Sequence, residues 1–249
     1  MKVIGVIPAR LNSQRLKNKV LKPICGKPLL WYTWQGAKKA SLLDRVIIAC
    51  CDKEVEEAAL KFGAEVFPTD PNHKSGTDRI AEVAAGIDCD IILNIQGDEP
   101  LIKGETLDAV ARVLIDNPDE VMASAAFGMT EKETLENENV VKVVLDNNGY
   151  ALYFSRSLIP YQLNKEENVK YFKHIGIYAY KKDFLLKFSK MPQTPLEKIE
   201  RLEQLRVIEN SFKIRIIETD RDSVGVDTEE DFKKVEKVIN DNFVGFRHA

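Results

Sequence analysis

Residues 10 to 19, "RLNSQRLKNK", carry Arg10, Arg15, Lys17 and Lys19 and contain no glycine. They follow the apolar run "KVIGVIP" at residues 2 to 8, so the charge is fixed at the end of a buried strand. A nucleoside triphosphate carries about four negative charges; arginine grips phosphate oxygens with a planar fork and lysine supplies a mobile point charge. Amides in the turn can add an anion nest. A solvated basic loop has the same composition, and the preceding strand is what favours an anion site.

The acids come next. "QGDEP" at residues 96 to 100 sets Asp98 and Glu99 just past the apolar run "DIILNIQ". A carboxylate there suits Mg²⁺, which takes one or two carboxylates plus substrate phosphates. An acid at a strand end also commonly caps the following helix. "GVDTEED" at 225 to 231 offers Asp227 ahead of a helix starting near Thr228, and the same letters read as a capping box. A second carboxylate beside Asp98 decides between these readings.

"HKSGTDR" at 73 to 79 joins His73, Ser75, Gly76 and Arg79 at a helix start. Gly76 permits close backbone approach, and short polar groups there can read the edge of a nucleobase. A plain N-cap followed by an exposed arginine fits the spacing equally well. Arg156 in "YFSRSLIPY" and His174 in "KHIGIYAY" interrupt apolar strands and need partners. A lone histidine is more often a satisfied core residue than a catalyst. In "PLEKIERLEQLRVIE", Leu196, Ile199, Leu202, Leu205 and Ile208 recur every third position, which predicts a helix with a wide buried arc. Glu203 and Arg206 fall inside that arc, pairing at i,i+3 or facing a polar ligand.

The elements that must position these residues alternate through the first half. Strands are predicted at 2–8, 45–50, "AEVFPT" and 90–96. Helices are predicted from Pro28 to about Ala40, in "KEVEEAALKFG", "SGTDRIAEVAAGI" and "ETLDAVARVLIDN". Strands apolar on both faces with helices between them indicate a mainly parallel sheet covered on both sides, hence an α/β class. After residue 120 the rhythm turns strand-rich, with "DNNG" at 146 to 149 as a hairpin signal. Helices return at 195–210 and 228–242 around the strand "KIRIIET". The expectation is one domain over residues 1–249 with a β-rich excursion at about 121–180. In open α/β sheets ligands lie beyond the carboxyl ends of the strands, which selects the Arg10–Lys19 loop, the approach to "SGTDR", and "QGDEP".

Bulk properties narrow the partners. The chain has 249 residues, 44% hydrophobic, with a formal net charge of -3. That balance argues against broad binding of nucleic acid or membrane surface. No apolar run approaches membrane-span length, and the start carries no secretory pattern. Cys25, Cys50, Cys51 and Cys89 form no CxxC and no zinc spacing. Cys50 and Cys51 read as core thiols in a reducing cytoplasm.

Taken together, "IPAR", Ser13, Arg15-Leu16, Lys19, "SGTDR", "QGDEP", "KVVLD", "GYALYFSR", "KHIGIYAY", "LEQLR" and "GVDTEED" resemble the 3-deoxy-manno-octulosonate (Kdo) cytidylyltransferases. The resemblance runs from about residue 2 to 240 and leaves out the final "FVGFRHA". It implies a Rossmann-like nucleotide-diphospho-sugar transferase fold, with a mixed, mostly parallel sheet, helices on both faces and a β-rich dimerisation excursion. It also implies a homodimer, and a Mg²⁺-dependent reaction in which CTP and Kdo give CMP-Kdo and diphosphate for lipopolysaccharide synthesis in the cytoplasm. The family's metal aspartates fall on Asp98 and Asp227, and its nucleotide loop on Arg10, Ser13, Arg15 and Lys19. The cytosine-reading segment falls on His73, Ser75 and Arg79, beside Gly76. The sugar-acid contacts fall on Gln96, Arg156, His174, Tyr178, Glu203 and Gln204.

The sequence departs from that family in two places. Lys17-Asn18 stands where the family has Pro-Gly, and asparagine tolerates the left-handed conformation better than most residues. The second long strand ends Ala49-Cys50-Cys51 in place of Ala-Thr-Asp, with Asp52 one position later. Two other readings stay open: a relative acting on 8-amino-Kdo or a sialic acid, and a catalytically silent nucleotide-binding protein.

Overall fold

The structure, a computed structural model, describes residues 1–11, 16–129, 132–164 and 169–245. The chain divides into two compact units, 1–108 with 223–249, and 109–222.

In the first unit the opening apolar run forms β1, Val3–Ala9, buried along its length apart from a partly buried Pro8. A single 3₁₀ turn at Lys19–Leu21 and the two-residue strands β2 (Pro23–Ile24) and β3 (Lys27–Pro28) lead into helix α1, Leu29–Ala37. Then come β4 (Arg45–Cys50), α2 (Lys53–Lys61), β5 (Glu65–Pro68), α3 (Gly76–Gly86), β6 (Ile91–Asn94) and α4 (Gly104–Asp116). The last of these runs across the division between the units. β1 is flanked by β4 on one side and β6 on the other, all parallel, and β5 lies beyond β4. Burial on both faces of β1 and β6 is what central parallel strands require.

The second unit contains β7 (Met122–Met129), α5 (Lys132–Glu136), β8 (Lys142–Leu145), β9 (Ala151–Ser155) and β10 (Tyr171–Lys181). It continues with α6 (Lys182–Phe188), α7 (Pro195–Glu200), α8 (Leu205–Glu209) and β11 (Arg215–Thr219). β7 pairs antiparallel with β10 and parallel with β11. β8 and β9 form the expected hairpin. Its turn is closed by Asp146, whose carboxylate accepts from the amides of Asn148 and Tyr150, both at 2.8 Å. Gly149 supplies the positive φ of 78° that the turn demands.

The helix expected over 195–210 is two helices. Arg201 ends α7 in the left-handed region at φ 54°, and α8 begins four residues later. A three-residue repeat over this length rotates steadily around a single helix, so one straight helix cannot bury it all. Ile199 is accordingly exposed. The turn lets Arg206 reach back to Glu197, a pairing invisible in the stripe.

The last helix, α9 (Glu229–Gly245), belongs to the first unit. Phe232, Val235 and Ile239 on it pack with Val226, Leu29, Tyr32, Ile24 and Leu16. Each such buried side chain contributes about 1.5–3 kcal/mol, so the carboxyl-terminal segment is held against the residues flanking Lys19. Lys22 adds a bond to Glu229 at 2.6 Å. The two adjacent cysteines part company: Cys50 is buried at the end of β4, while Cys51 is exposed. The core-thiol reading therefore holds for Cys50 alone, because the strand ends there and the next residue faces out.

Candidate active site

β1 is the point where the sheet of the first unit changes direction. The chain proceeds outward from β1 to β4 and β5, then returns to place β6 on the other flank of β1. A crevice opens beyond the carboxyl ends of strands at such a switch. The loops leaving β1 and β6 therefore emerge side by side. Gly97 allows the contact to be close, since a Cβ there would stand 2.9 Å from the Pro8 carbonyl oxygen.

Two aspartates and one lysine meet in this unit. The Lys19 Nζ lies 2.5 Å from Asp98 Oδ2 and 3.0 Å from Asp227 Oδ1. Asn18 takes up the left-handed conformation, at φ 53° and ψ 28°, that turns the chain into Lys19. The lysine stem is buried. Burial alone would push the ammonium pKa down, but Asp98 and then Asp227 outweigh it, and the net direction is up. The ammonium is therefore held charged.

The capping box read in "GVDTEED" does form, but neither Asp98 nor Asp227 is its acid. Asp98 lies six positions ahead of α4, which begins at Gly104, and its carboxylate goes to Lys19 instead. The α9 cap is Thr228 with Asp231. The Thr228 amide and hydroxyl donate to Asp231 Oδ2 at 2.9 and 2.8 Å, and the Asp231 amide returns a bond to Thr228 Oγ1 at 3.1 Å. That leaves the Asp227 side chain to the ammonium. The two acidic loops are also tied directly. The Val226 amide donates to the Asp98 carbonyl at 2.9 Å, and buried Ser223 donates to Glu99 Oε2 at 2.7 Å. Glu99, the second acid of "QGDEP", thus ties the two loops instead of standing with Asp98 at the ammonium, and Ser223 carried no signal in the sequence. Two hard oxygens already converging on one cation fit Mg²⁺, which completes its shell with phosphate and water.

The start of the basic loop is anchored from β4. Asp52, the acid displaced by one position, accepts from the Leu11 amide at 2.9 Å. Arg10 is exposed. Ser13 and Arg15 lie outside the described residues. In the "HKSGTDR" segment Ser75 caps α3 in a capping box with Asp78, and Gly76 packs against the Pro8 ring. His73 Nε2 is 2.6 Å from Glu82 Oε2. The Asp70 amide and the His73 ring together draw the Glu82 carboxyl below its usual range. Arg79 is not the exposed arginine of the plain-cap alternative. It is buried and donates to Thr69 Oγ1, which in turn donates to the Cys50 carbonyl at 3.1 Å.

Of the sugar-acid set, Gln96 belongs to the first unit, where its amide donates to Asn94 Oδ1 at 3.3 Å. The other five belong to the second. Arg156 donates from Nε to the Glu200 carbonyl at 2.8 Å and from Nη1 to the Glu138 carbonyl at 3.0 Å. Fully buried Lys142 holds the Arg156 carbonyl as well as those of Val140 and Asn137. His174 is buried, with Nε2 2.9 Å from Ser124 Oγ. That hydroxyl donates to the Ile177 carbonyl at 2.7 Å, with the Ile175 carbonyl at 3.3 Å, which leaves its oxygen to accept from the ring Nε2. Desolvation pushes its pKa down to about 3. Tyr178 lies against it, with ring centroids 5.3 Å apart. Gln204 is buried ahead of α8. Glu203 is 3.4 Å from Arg206, whose main partner is Glu197, at 2.7 Å through Nε and 2.5 Å through Nη2.

Residues 4–216 match the cytidylyltransferase family, and the chain belongs to it. Its full-length relatives narrow the class. It is 47% identical over 243 residues to the 3-deoxy-manno-octulosonate cytidylyltransferase of Fusobacterium nucleatum, covering 97% of this chain and 98% of that protein. It is 46% identical over 238 residues to the protein of the same name from Solibacter usitatus, covering 96% and 94%. The solved structure of CMP:2-keto-3-deoxy-manno-octonic acid synthetase complexed with CTP matches with a TM-score of 0.92 at 37% identity, over 97% of this chain and 100% of that one. The fold is thus that of the nucleotide-diphospho-sugar transferases.

Proposed function

We propose that this chain transfers CMP from CTP to 3-deoxy-D-manno-octulosonate, giving CMP-Kdo and diphosphate and activating the sugar for lipopolysaccharide synthesis in the cytoplasm. The observation that carries this reading is the meeting of Lys19, Asp98 and Asp227 beyond the carboxyl ends of β1 and β6. The relatives named above supply the sugar.

The anomeric hydroxyl of Kdo attacks the α-phosphorus of CTP in line with the departing diphosphate. Such a reaction asks the protein for positioning and charge neutralisation more than for covalent chemistry. Lys19, with Arg15 and Arg10, takes the β- and γ-phosphates and stabilises the leaving group. Asp98 and Asp227 hold Mg²⁺, which when bound neutralises phosphate charge and acidifies the attacking hydroxyl. Glu99 and Ser223 keep the two acidic loops in register. The cytosine-reading role goes to Ser75, Gly76, His73 and Arg79, and Ser13 counts with the nucleotide loop. The sugar-contact roles go to Gln96 in the first unit and to Arg156, His174, Tyr178, Glu203 and Gln204 in the second, with Arg156 matched to the sugar carboxylate. His174 is a poor general base, since burial disfavours its protonated form.

Homodimer formation is supported by apolar surface in the second unit, where Leu152, Tyr161, Leu163 and Ile199 are all exposed, Tyr161 at 85% and Leu163 at 84%. Light scattering on the purified chain checks it; a monomer at micromolar concentration removes the dimer. Diphosphate release from each of the four nucleoside triphosphates, with Kdo, 8-amino-Kdo or a sialic acid and with or without Mg²⁺, tests the reaction. CTP with Kdo and Mg²⁺ must be the best combination. Faster turnover with another acid sugar reassigns the substrate, and CTP binding with no turnover on any sugar leaves a silent nucleotide-binding protein.

A further inference from the structure

The oxygens that a divalent cation would use are the same ones that contact Lys19. Its ammonium stands 2.5 Å from Asp98 Oδ2 and 3.0 Å from Asp227 Oδ1. Its side chain is only 9% exposed, against 29% and 45% for the two acids. The charge is therefore confined between the carboxylates, with its stem walled in. The loops carrying the acids are fixed independently of it, by the Val226 amide on the Asp98 carbonyl and by Ser223 on Glu99.

We infer that the Lys19 ammonium acts as a surrogate cation. It occupies the oxygens of Asp98 and Asp227 and makes their loading by a divalent metal conditional on a nucleotide tail that draws the ammonium away. The inference rests on the metal and phosphate roles proposed above. A triphosphate offers Lys19 new acceptors at the moment the carboxylates are wanted by the metal. The exchange trades one set of charge-assisted contacts for another and exposes no unpaired carboxylate. Free metal alone must displace or repel the ammonium with nothing to receive it. Coupling of this kind is reciprocal, so nucleotide tightens metal binding and metal tightens nucleotide binding. If Lys19 were only a phosphate ligand, its loss would weaken CTP and leave free-metal affinity unchanged. If it were only a structural pin, its loss would let the carboxylates drift and weaken metal binding. Competition alone makes the charge-free variant bind metal better.

The test is Mn²⁺ binding to the full chain without nucleotide, read from the free-ion paramagnetic resonance signal. Lys19→Met should bind Mn²⁺ about tenfold more tightly than the natural chain, and Lys19→Arg should match the natural chain because the charge remains. Mg²⁺ should raise the melting temperature of Lys19→Met more than that of the natural chain. A Lys19→Met protein that folds only on addition of Mg²⁺ also supports the surrogate role, since the metal then replaces the missing charge. Equal or weaker Mn²⁺ affinity in a folded Lys19→Met, or failure of Mg²⁺ to rescue an unfolded one, overturns the inference. Adding Asp98→Asn to Lys19→Met separates the layers. If the double variant still binds Mn²⁺ as tightly, the metal assignment itself is wrong, whatever Lys19 does.

Discussion

Two ion clusters, one in each unit, are built on opposite plans. In the first unit one ammonium serves two carboxylates, Asp98 and Asp227, both partly exposed. In the second, Arg206 meets Glu197 through two nitrogens, with side chains only 7% and 5% exposed. Arg206 also reaches the Phe188 and Met191 carbonyls and lies over the Phe188 ring at 5.0 Å. The Arg206–Glu197 pair is balanced in charge and closed to water, with Glu203 at its partly exposed rim. In the first cluster, both carboxylates open to water while the cation between them is buried. A closed, balanced pair specifies structure, because neither ion can be exchanged without stranding the other. An open one can trade its cation, and that is what a binding site for metal and phosphate needs.

The sharpest way to break this contrast is Asp98→Asn. It should lower diphosphate release by about a thousandfold at saturating substrates and Mg²⁺, a barrier increase of about 4 kcal/mol, with the melting temperature little changed. Near-normal turnover would move the metal elsewhere. The opposite result is expected of Glu197→Ala, which should cost about 3 kcal/mol in urea unfolding, since it leaves a buried guanidinium unpaired. Joint replacement of Glu197 and Arg206 by apolar residues of similar size should recover most of that loss. If Glu197→Ala is neutral, the second cluster is not structural.

His174 sharpens the comparison from inside the second unit. Its folded pKa of about 3 lies below the ordinary 6.5, so the unfolded chain takes up a proton that the folded chain refuses. Stability should therefore fall as the pH drops through 6.5 toward 3, by about 1.4 kcal/mol per pH unit from this residue. His174→Gln should flatten the slope relative to the natural chain over that window. Identical slopes would mean that the ring is protonated in the fold. The smallest effect is expected at the α9 cap. Thr228→Ala should cost about 1 kcal/mol of stability and leave Mg²⁺ dependence intact, because Asp227 is not the cap. A marked change in Mg²⁺ requirement would show that the cap and the metal acid are one device.

The parallel strands around β1 were legible because a central strand must be apolar on both faces, and few other elements look like that. Asn18 could be anticipated in the left-handed region because it stands where the family has glycine, and asparagine tolerates that conformation better than most residues. Arg79 could not be assigned, since a buried and an exposed arginine look the same at a helix start until Thr69 and the end of β4 are placed beside it. The stretch 195–210 misled because a three-residue apolar repeat suggests a helix, while the partner that breaks it, Glu197 for Arg206, lies nine residues away in sequence. His174 and Ser124 are 50 residues apart, and no local pattern joins them.

By itself the sequence determined the kinds of groups available and the strand ends at which they stand: a basic loop after one buried run, an acid after another, a second acid before the last helix. Which acids serve as caps and which are left to a cation was decided only by tertiary structure. Each of those letters is compatible with both uses, and the choice turns on which donor is nearest in space. Asp231 took the Thr228 cap and Lys19 took Asp98 and Asp227, across separations of 79 and 208 residues. Side-chain bonds act over a few ångströms, and only folding brings positions so distant in the chain within that range.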